Sequence, residues 1–215
     1  MVKGDRIVGV DIGTTKICAV VSEVEDTGQL RITGVGNSPS DGLKRGVVVN
    51  VEKTVRSIQR AIEEAERMSD ARIAAVYAGI AGDHIRSLNC RGVIAVSGPD
   101  NEITSHDEAR VIETAKAVSI PMDREIIHVL PQEFVVDDQP GVKDPIGMSG
   151  VRLEADVHMV TGAVTSAQNI CKSIRRAGVE VEDLVLEPLA ASYAVLSPEE
   201  EEMGVALVDV GGGTT

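Results

Sequence analysis

An α/β fold with a small α+β block spliced into it is what this sequence predicts, and three observations predict it. Two strand-like runs, each ending in an aspartate that leads into a glycine–threonine turn, stand near opposite ends of the 215 residues, at Asp11 and Asp209. Three early strands lead into a long amphipathic helix, the pattern of a sheet covered by a helix. From about His84 to Gly162 the pattern changes to alternating strands around one capped helix, as an insertion would.

The stretch Arg6 to Val21 reads RIVGVDIGTTKICAVV. Its first half alternates apolar with small or polar residues, and Ile17 to Val21 resumes a β-branched composition. The turn between them, Asp11 to Lys16, has the makings of a phosphate cradle. Gly13 lets the backbone turn, and the amides after it can converge on an anion. Thr14 and Thr15 add hydroxyls, Lys16 adds a cation, and Asp11 could hold the water shell of Mg²⁺. An ordinary threonine-turn hairpin reads the same way, so the second site carries the decision. Val205 to Thr215, VALVDVGGGTT, is read as an apolar strand ending in Asp209 and followed by Gly211, Gly212, Gly213, Thr214 and Thr215. Two such turns suggest a nucleotide held from both sides.

The next elements follow in order. Leu30 to Val35 is a third strand, completing an antiparallel meander, and Pro39 to Gly46 is a loop. Asn50 is the N-cap of a helix to about Met68, with Val51, Val55, Ile58, Ile62, Ala65 and Met68 as its apolar stripe. Ile73 to Ala81 is a buried strand. Within the inserted block, strands are expected around Ile85–Ser97, Glu125–Val136 and Val151–Thr161. A helix starts at Ser105 with Glu108 completing a capping box, and Val111, Ile112, Ala115 and Val118 form its apolar face. In the last of these strands Val151, Leu153, Ala155, Val157 and Met159 share one face, and Arg152, Glu154, Asp156 and His158 the other. His128 and His158 lack a second ligand at metal spacing, so ligation by histidine is not expected. The loop from Asp137 to Gly150 is either a plain connection or a subunit contact.

Beyond the block, a helix from Ser166 to Ala177 ends at Gly178, and a strand follows at Val181–Leu186. Glu187-Pro188 then opens a helix to Leu196. A carboxylate at that position is a candidate to orient water or Mg²⁺, or a helix-opening residue without a role. Ser197 to Glu202 is read as a solvated break.

Composition narrows the classes. Hydrophobic residues make up 43%, enough for real cores, yet aromatics are only Tyr77, Tyr193 and Phe134, with no Trp. The net charge of −13 and the missing stacking platforms argue against nucleic acid as a partner. Cys18, Cys90 and Cys171 are widely spaced, which suits buried thiols in a reducing compartment. The N-terminus lacks a signal-peptide core, and no apolar run reaches the roughly 18 residues of a membrane span. The expected location is cytoplasmic.

The long matches GVDIGTTKICAVV, SDGLKRGVVVNVE, YAGIAGDHI, IIHVLPQEFVVDDQPGVKDPIGMSGVRLEADVHMVTGA, LEPLAASYAVL and VALVDVGGGTT together resemble the FtsA family of bacterial cell division proteins, actin homologues. The third and fourth single out FtsA, while the first, fifth and sixth are shared with Hsp70 and sugar kinases. The resemblance implies an actin-like (ribonuclease H-like) ATPase lobe with an inserted SHS2-like subdomain. Residues 1–81 and 163–197 would form subdomain 1A, residues 82–162 subdomain 1C, and residues 204–215 the start of subdomain 2A, the rest of which would lie outside this half.

The same resemblance assigns Asp11, Gly13, Thr14, Thr15 and Lys16 to phosphate loop 1 and Asp209, Gly211, Gly212, Gly213 and Thr214 to phosphate loop 2. Glu187 matches the connecting position near Mg²⁺ and the attacking water, and Asp11 and Asp209 would hold Mg²⁺ through water. The implied cofactors are ATP and Mg²⁺, with at most weak ATPase activity. The implied role is a cytoskeletal adaptor: it polymerises through 1C, tethers FtsZ filaments of the Z ring to the cytoplasmic face of the membrane at the division site, and helps recruit later division proteins. FtsZ contact and the amphipathic membrane helix would belong to the other half. A sugar-kinase-like phosphotransferase and a pilus-assembly actin-like protein are the alternatives, and the first would need a base in the cleft that is not visible.

Overall fold

The amphipathic stripe of the long helix and the alternation of the strands find their partners in two separate cores. The computed structural model describes residues 5–215, in two units: the chain up to His84 together with Val164–Thr215, and Ile85–Ala163. In chain order the elements are β1 (Arg6–Ile12), β2 (Lys16–Val24), β3 (Leu30–Pro39), β4 (Leu43–Lys44), β5 (Val47–Val48), α1 (Val51–Ser69), β6 (Ala75–Ile80), β7 (Arg86–Ala95), α2 (Ser105–Lys116), β8 (Arg124–Val136), β9 (Gln139–Val142), β10 (Arg152–Ala163), α3 (Val164–Arg176), β11 (Glu180–Leu186), α4 (Glu187–Val195) and α5 (Pro198–Met203).

In the first unit the sheet order is β11-β6-β1-β2-β3. β1, β2 and β3 form the expected antiparallel meander, while β6 and β11 join β1 in parallel. Parallel neighbours need a crossover, and α1 and α3 supply it. Val10, Ile17, Ala19, Val76, Ala78 and Ile80 are at most 2% exposed, as are Ile58, Ala61 and Ala65 of α1 and Ile174 of α3. α1 lies directly on β3, because a side-chain carbon at Gly36 would come within 1.9 Å of the Ala61 carbonyl oxygen. Asn50 caps α1 by accepting from the Lys53 amide at 3.0 Å. Met68, expected in the stripe, is exposed at the helix end, where its sulfur accepts from the Val35 amide at 3.2 Å.

In the second unit the sheet order is β7-β10-β8-β9, fully antiparallel, with α2 packed on β7 and β10. Leu153, Ala155, Val157 and Met159 of β10 are buried with Val111 and Ala115 of α2 and Phe134 of β8. Val151 lies before β10, out of its ladder, and is exposed. Glu154, on the face expected to meet water, is only 9% exposed because Arg91 and Arg152 flank it. Gln132 is skipped in the pairing of Asp156 with Glu133 and Val157 with Pro131, a bulge placed beside a proline that cannot donate to a ladder.

Three local expectations are corrected. The cap of α2 is Thr104 with Asp107, one residue before the Ser105–Glu108 pair, and Val118 falls beyond the helix, exposed. Ser197–Glu202 is not a break: Ser197 and Glu200 form a capping box that starts α5. Val205–Val210 has no ladder partner among the described residues, so despite its strand composition it is an exposed segment outside any sheet.

Candidate functional site

The ends of β1 and β2, the middle of β6 and the start of α4 surround a cleft of about 520 Å³ in the first unit. Asp11, Lys16, Glu187 and Asp209 all line it. Its inner wall is apolar, from Val10, Val20, Tyr77, Val185 and Ala194. A larger depression of about 1080 Å³ near the C-terminal ends of α1 and α3 contains none of the site residues expected from the sequence.

The glycines explain the approach distances. A side-chain carbon at Gly13 would come 2.9 Å from the Lys16 carbonyl oxygen, so only glycine permits this turn. Gly212 lies against Thr15 and Gly213 against Thr14: an added carbon would stand 2.2 Å from Thr15 Cγ2 and 2.7 Å from Thr14 Oγ1. The Gly211 amide donates to the Thr214 carbonyl at 3.0 Å and closes the second turn. The turn after β1 is braced from outside, since the Ser40 amide donates to the Thr15 carbonyl at 3.0 Å and the Gly46 amide to Thr14 Oγ1 at 3.3 Å.

Three carboxylates face a single lysine. The Glu187 carboxyl is pushed up to about 7, first by burial and then by the Asp11 and Asp209 charges. Burial also raises Asp11, with Lys16 opposing and Asp209 adding to the rise. Burial pushes the Cys18 thiol up as well, so it stands in the wall as a protonated, weakly polar group. Among the described residues no three His, Cys, Asp or Glu side chains stand close enough to cage a metal. Oxygen donors spread around a cleft with surplus negative charge suit a hard divalent cation that keeps its water shell.

The structure thus brings Asp11, Lys16, Glu187 and Asp209 to one cleft and Gly13, Thr14, Thr15, Gly211, Gly212, Gly213 and Thr214 to two turns that touch. Gly79 is the contributor that sequence reasoning missed. A side-chain carbon there would meet Glu187 Cγ at 2.9 Å and Oε1 at 3.1 Å, so the carboxylate lies over the bare backbone of β6. Its only signal is small-residue spacing in Ala75–Ile80, which says nothing about what lies above it.

The chain is similar to known proteins along nearly its whole length. A family model described as the SHS2 domain inserted in FTSA matches residues 82–161. The chain is 56% identical over 212 residues to the cell division protein FtsA of Pseudomonas aeruginosa, covering 99% of this chain and 50% of that protein. The corresponding protein of Escherichia coli is 43% identical over 208 residues, covering 97% and 49%. That of Bacillus subtilis is 42% identical over 215 residues, covering 100% and 49%. The chain belongs to the FtsA family.

It spans about half the length of the curated FtsA relatives it matches. A chain solved in a PilM–PilN type IV pilus biogenesis complex shares the fold, with a TM-score of 0.61 at 14% identity over 92% of this chain and 51% of that one. The fold is the actin-like α/β lobe of FtsA with its inserted SHS2 domain. No helix among the described residues is long and apolar enough to cross a membrane.

Proposed function

We propose that these residues form the part of an actin-like, ATP-binding cell division protein that grips the phosphates of Mg²⁺-ATP. The observation that supports this most is the convergence of Asp11, Lys16, Glu187 and Asp209 on one cleft beside two touching glycine–threonine turns. In this reading the amides and hydroxyls of Thr14 and Thr15 and the backbone of Gly211–Thr214 hold phosphate oxygens, and Lys16 neutralises part of their charge. Asp11 and Asp209 orient the water shell of Mg²⁺, which when bound offsets the carboxylate repulsion. Glu187 aligns water at the terminal phosphate, and hydrolysis is at most weak.

The family membership supports the cellular role. The full-length protein polymerises and tethers FtsZ filaments to the cytoplasmic face of the membrane at the division site, and it helps recruit later division proteins. Residues 82–162 act as the assembly subdomain 1C, flanked by the two parts of 1A at 1–81 and 163–197, and 204–215 begin 2A. FtsZ contact and membrane attachment belong to parts of the full-length protein outside these 215 residues. A sugar-kinase or pilus-assembly role is not favoured, given FtsA relatives along nearly the whole chain.

Calorimetry of the full-length protein tests the site. Mg²⁺-ATP should bind, Asp209→Asn should weaken binding by about tenfold or more with the chain still folded, and an FtsZ C-terminal peptide should bind independently. Unchanged affinity in Asp209→Asn would remove the metal-orienting role, and no ATP binding at all would overturn the reading.

A further inference from the structure

We propose that occupancy of the phosphate site is relayed, through the β4–β5 hairpin, to the segment Ala81–His84 by which the chain leaves β6 for the inserted domain. The inference rests on the reading of Thr14 as a phosphate contact. It is carried by a chain of contacts within the first unit. The Gly46 amide, at the tip of the hairpin, donates to Thr14 Oγ1 at 3.3 Å. On its other side Gly46 presses on the β6 exit, where a side-chain carbon would fall 2.2 Å from the Ala81 carbonyl oxygen. A carbon at Gly82 would in turn meet the Arg45 carbonyl oxygen at 2.9 Å, and the Arg45 guanidinium reaches Asp83 at 3.9 Å. The hairpin is therefore seated between the phosphate turn and the exit with no room for a methyl group.

Its tip is a two-residue turn with Arg45 at φ +49° and Gly46 at φ +73°, the pair of positive φ values that short hairpins favour. Gly82, facing them, has φ +137°, a region open to glycine alone.

The hydroxyl of Thr14 is the element that a phosphate would set. A threonine hydroxyl has one hydrogen to donate and lone pairs to accept. With a phosphate oxygen in reach its hydrogen is committed to that anion, and the lone pair left over faces the Gly46 amide. The resulting series, Gly46 N–H to Thr14 Oγ1 and Thr14 O–H to phosphate, strengthens along its length because the last bond is charge-assisted. Without the phosphate the hydroxyl rotates freely and the Gly46 bond stays long. Occupancy thus tightens the hairpin, and the hairpin tightens Ala81–His84.

Hydrogen exchange on full-length protein with and without saturating Mg²⁺-ATP tests this. The amides of Gly46 and Gly82–His84 should exchange about tenfold more slowly with nucleotide, the size expected of one strengthened hydrogen bond. Gly46→Ala, which forces the tip away from Ala81 and loosens its bond to Thr14, should weaken ATP binding by no more than the worth of that one hydrogen bond and, at saturating Mg²⁺-ATP, lose the slowing at Gly82–His84. Thr14→Ser should retain the slowing, and Thr14→Val at saturating nucleotide should lose it. If ATP binds the wild-type protein and these amides do not change, the relay is wrong while the nucleotide site stands. Slowing that survives in both Gly46→Ala and Thr14→Val would also overturn it. Absence of any ATP binding by the wild-type protein would instead overturn the proposed function on which the relay rests.

Discussion

In the Ile85–Ala163 unit, Asp156 takes two bonds from the Arg91 guanidinium, at 2.7 and 2.5 Å, and the nearly buried Glu154 lies between Arg91 and Arg152. Asp107 accepts from the Thr104 hydroxyl and amide and from Arg110, which holds its carboxyl below the usual range. In the cleft of the other unit, Asp11, Glu187 and Asp209 share one lysine, and the carboxyls of Asp11 and Glu187 are raised. Residues of one chemical type are therefore treated in opposite ways. Where guanidinium and hydroxyl donors surround a carboxylate, its charge is spent on the fold. Where burial and like charges surround it, its charge is disfavoured, with Lys16 alone opposing the rise at Asp11.

The largest test of the contrast is the pH dependence of each unit. Glu187, raised from 4.5 to about 7, costs folding on the order of 3 kcal/mol once ionised. That cost is absent below about pH 4.5, grows as pH rises and is complete above about pH 7. Asp107 has the opposite sign: its contribution is present above 3.8 and is lost as pH falls below that value. Hydrogen exchange between pH 5 and 8 should therefore show the first unit loosening with rising pH while α2 does not change. Glu187→Gln should remove most of that slope and stabilise the first unit at pH 8. A slope that persists in the variant would show that another group carries it.

Gly79→Ala moves the carboxylate without removing it. The methyl group must displace the Glu187 side chain, so Mg²⁺-dependent ATP affinity of the full-length protein should fall by about tenfold, with little change in melting temperature. An unchanged affinity measured by calorimetry would mean that Glu187 does not act at the phosphate. In the other unit, Thr104→Ala removes the cap of α2 and should cost about 1 kcal/mol in urea unfolding while ATP binding is untouched. Smallest is Arg91→Lys, which breaks the two-pronged bond to Asp156 on a side chain more than half exposed. Its melting shift should be slight and should vanish in high salt, whereas a salt-independent loss would show that the guanidinium packs rather than pairs.

The sheet-covering helix, the meander and the alternating strand β10 were legible because burial repeats with the period of the backbone, 3.6 for Val55–Ala65 and 2 for Leu153–Met159. Boundaries shifted where two residues offered the same chemistry. Thr104 and Ser105 are both good caps, and only the position of the first turn selects Thr104. The segment Val205–Val210 shows the reverse limit. Its composition is that of a strand, but a strand exists only when another strand supplies its hydrogen bonds.

By itself the sequence determined the motifs: two aspartate–glycine–threonine turns, a glutamate opening a helix, and an inserted block with its own cap and alternation. These are local, since turn chemistry and periodicity depend on residues a few places apart. Only the tertiary structure decided what those motifs face. That Glu187 lies over Gly79, that Gly46 is seated between Thr14 and Ala81, and that Glu154 is buried between two arginines are meetings of residues up to 108 positions apart. Parallel pairing and helix packing set these meetings, and the charge state of each carboxylate follows from its neighbours in space rather than in sequence.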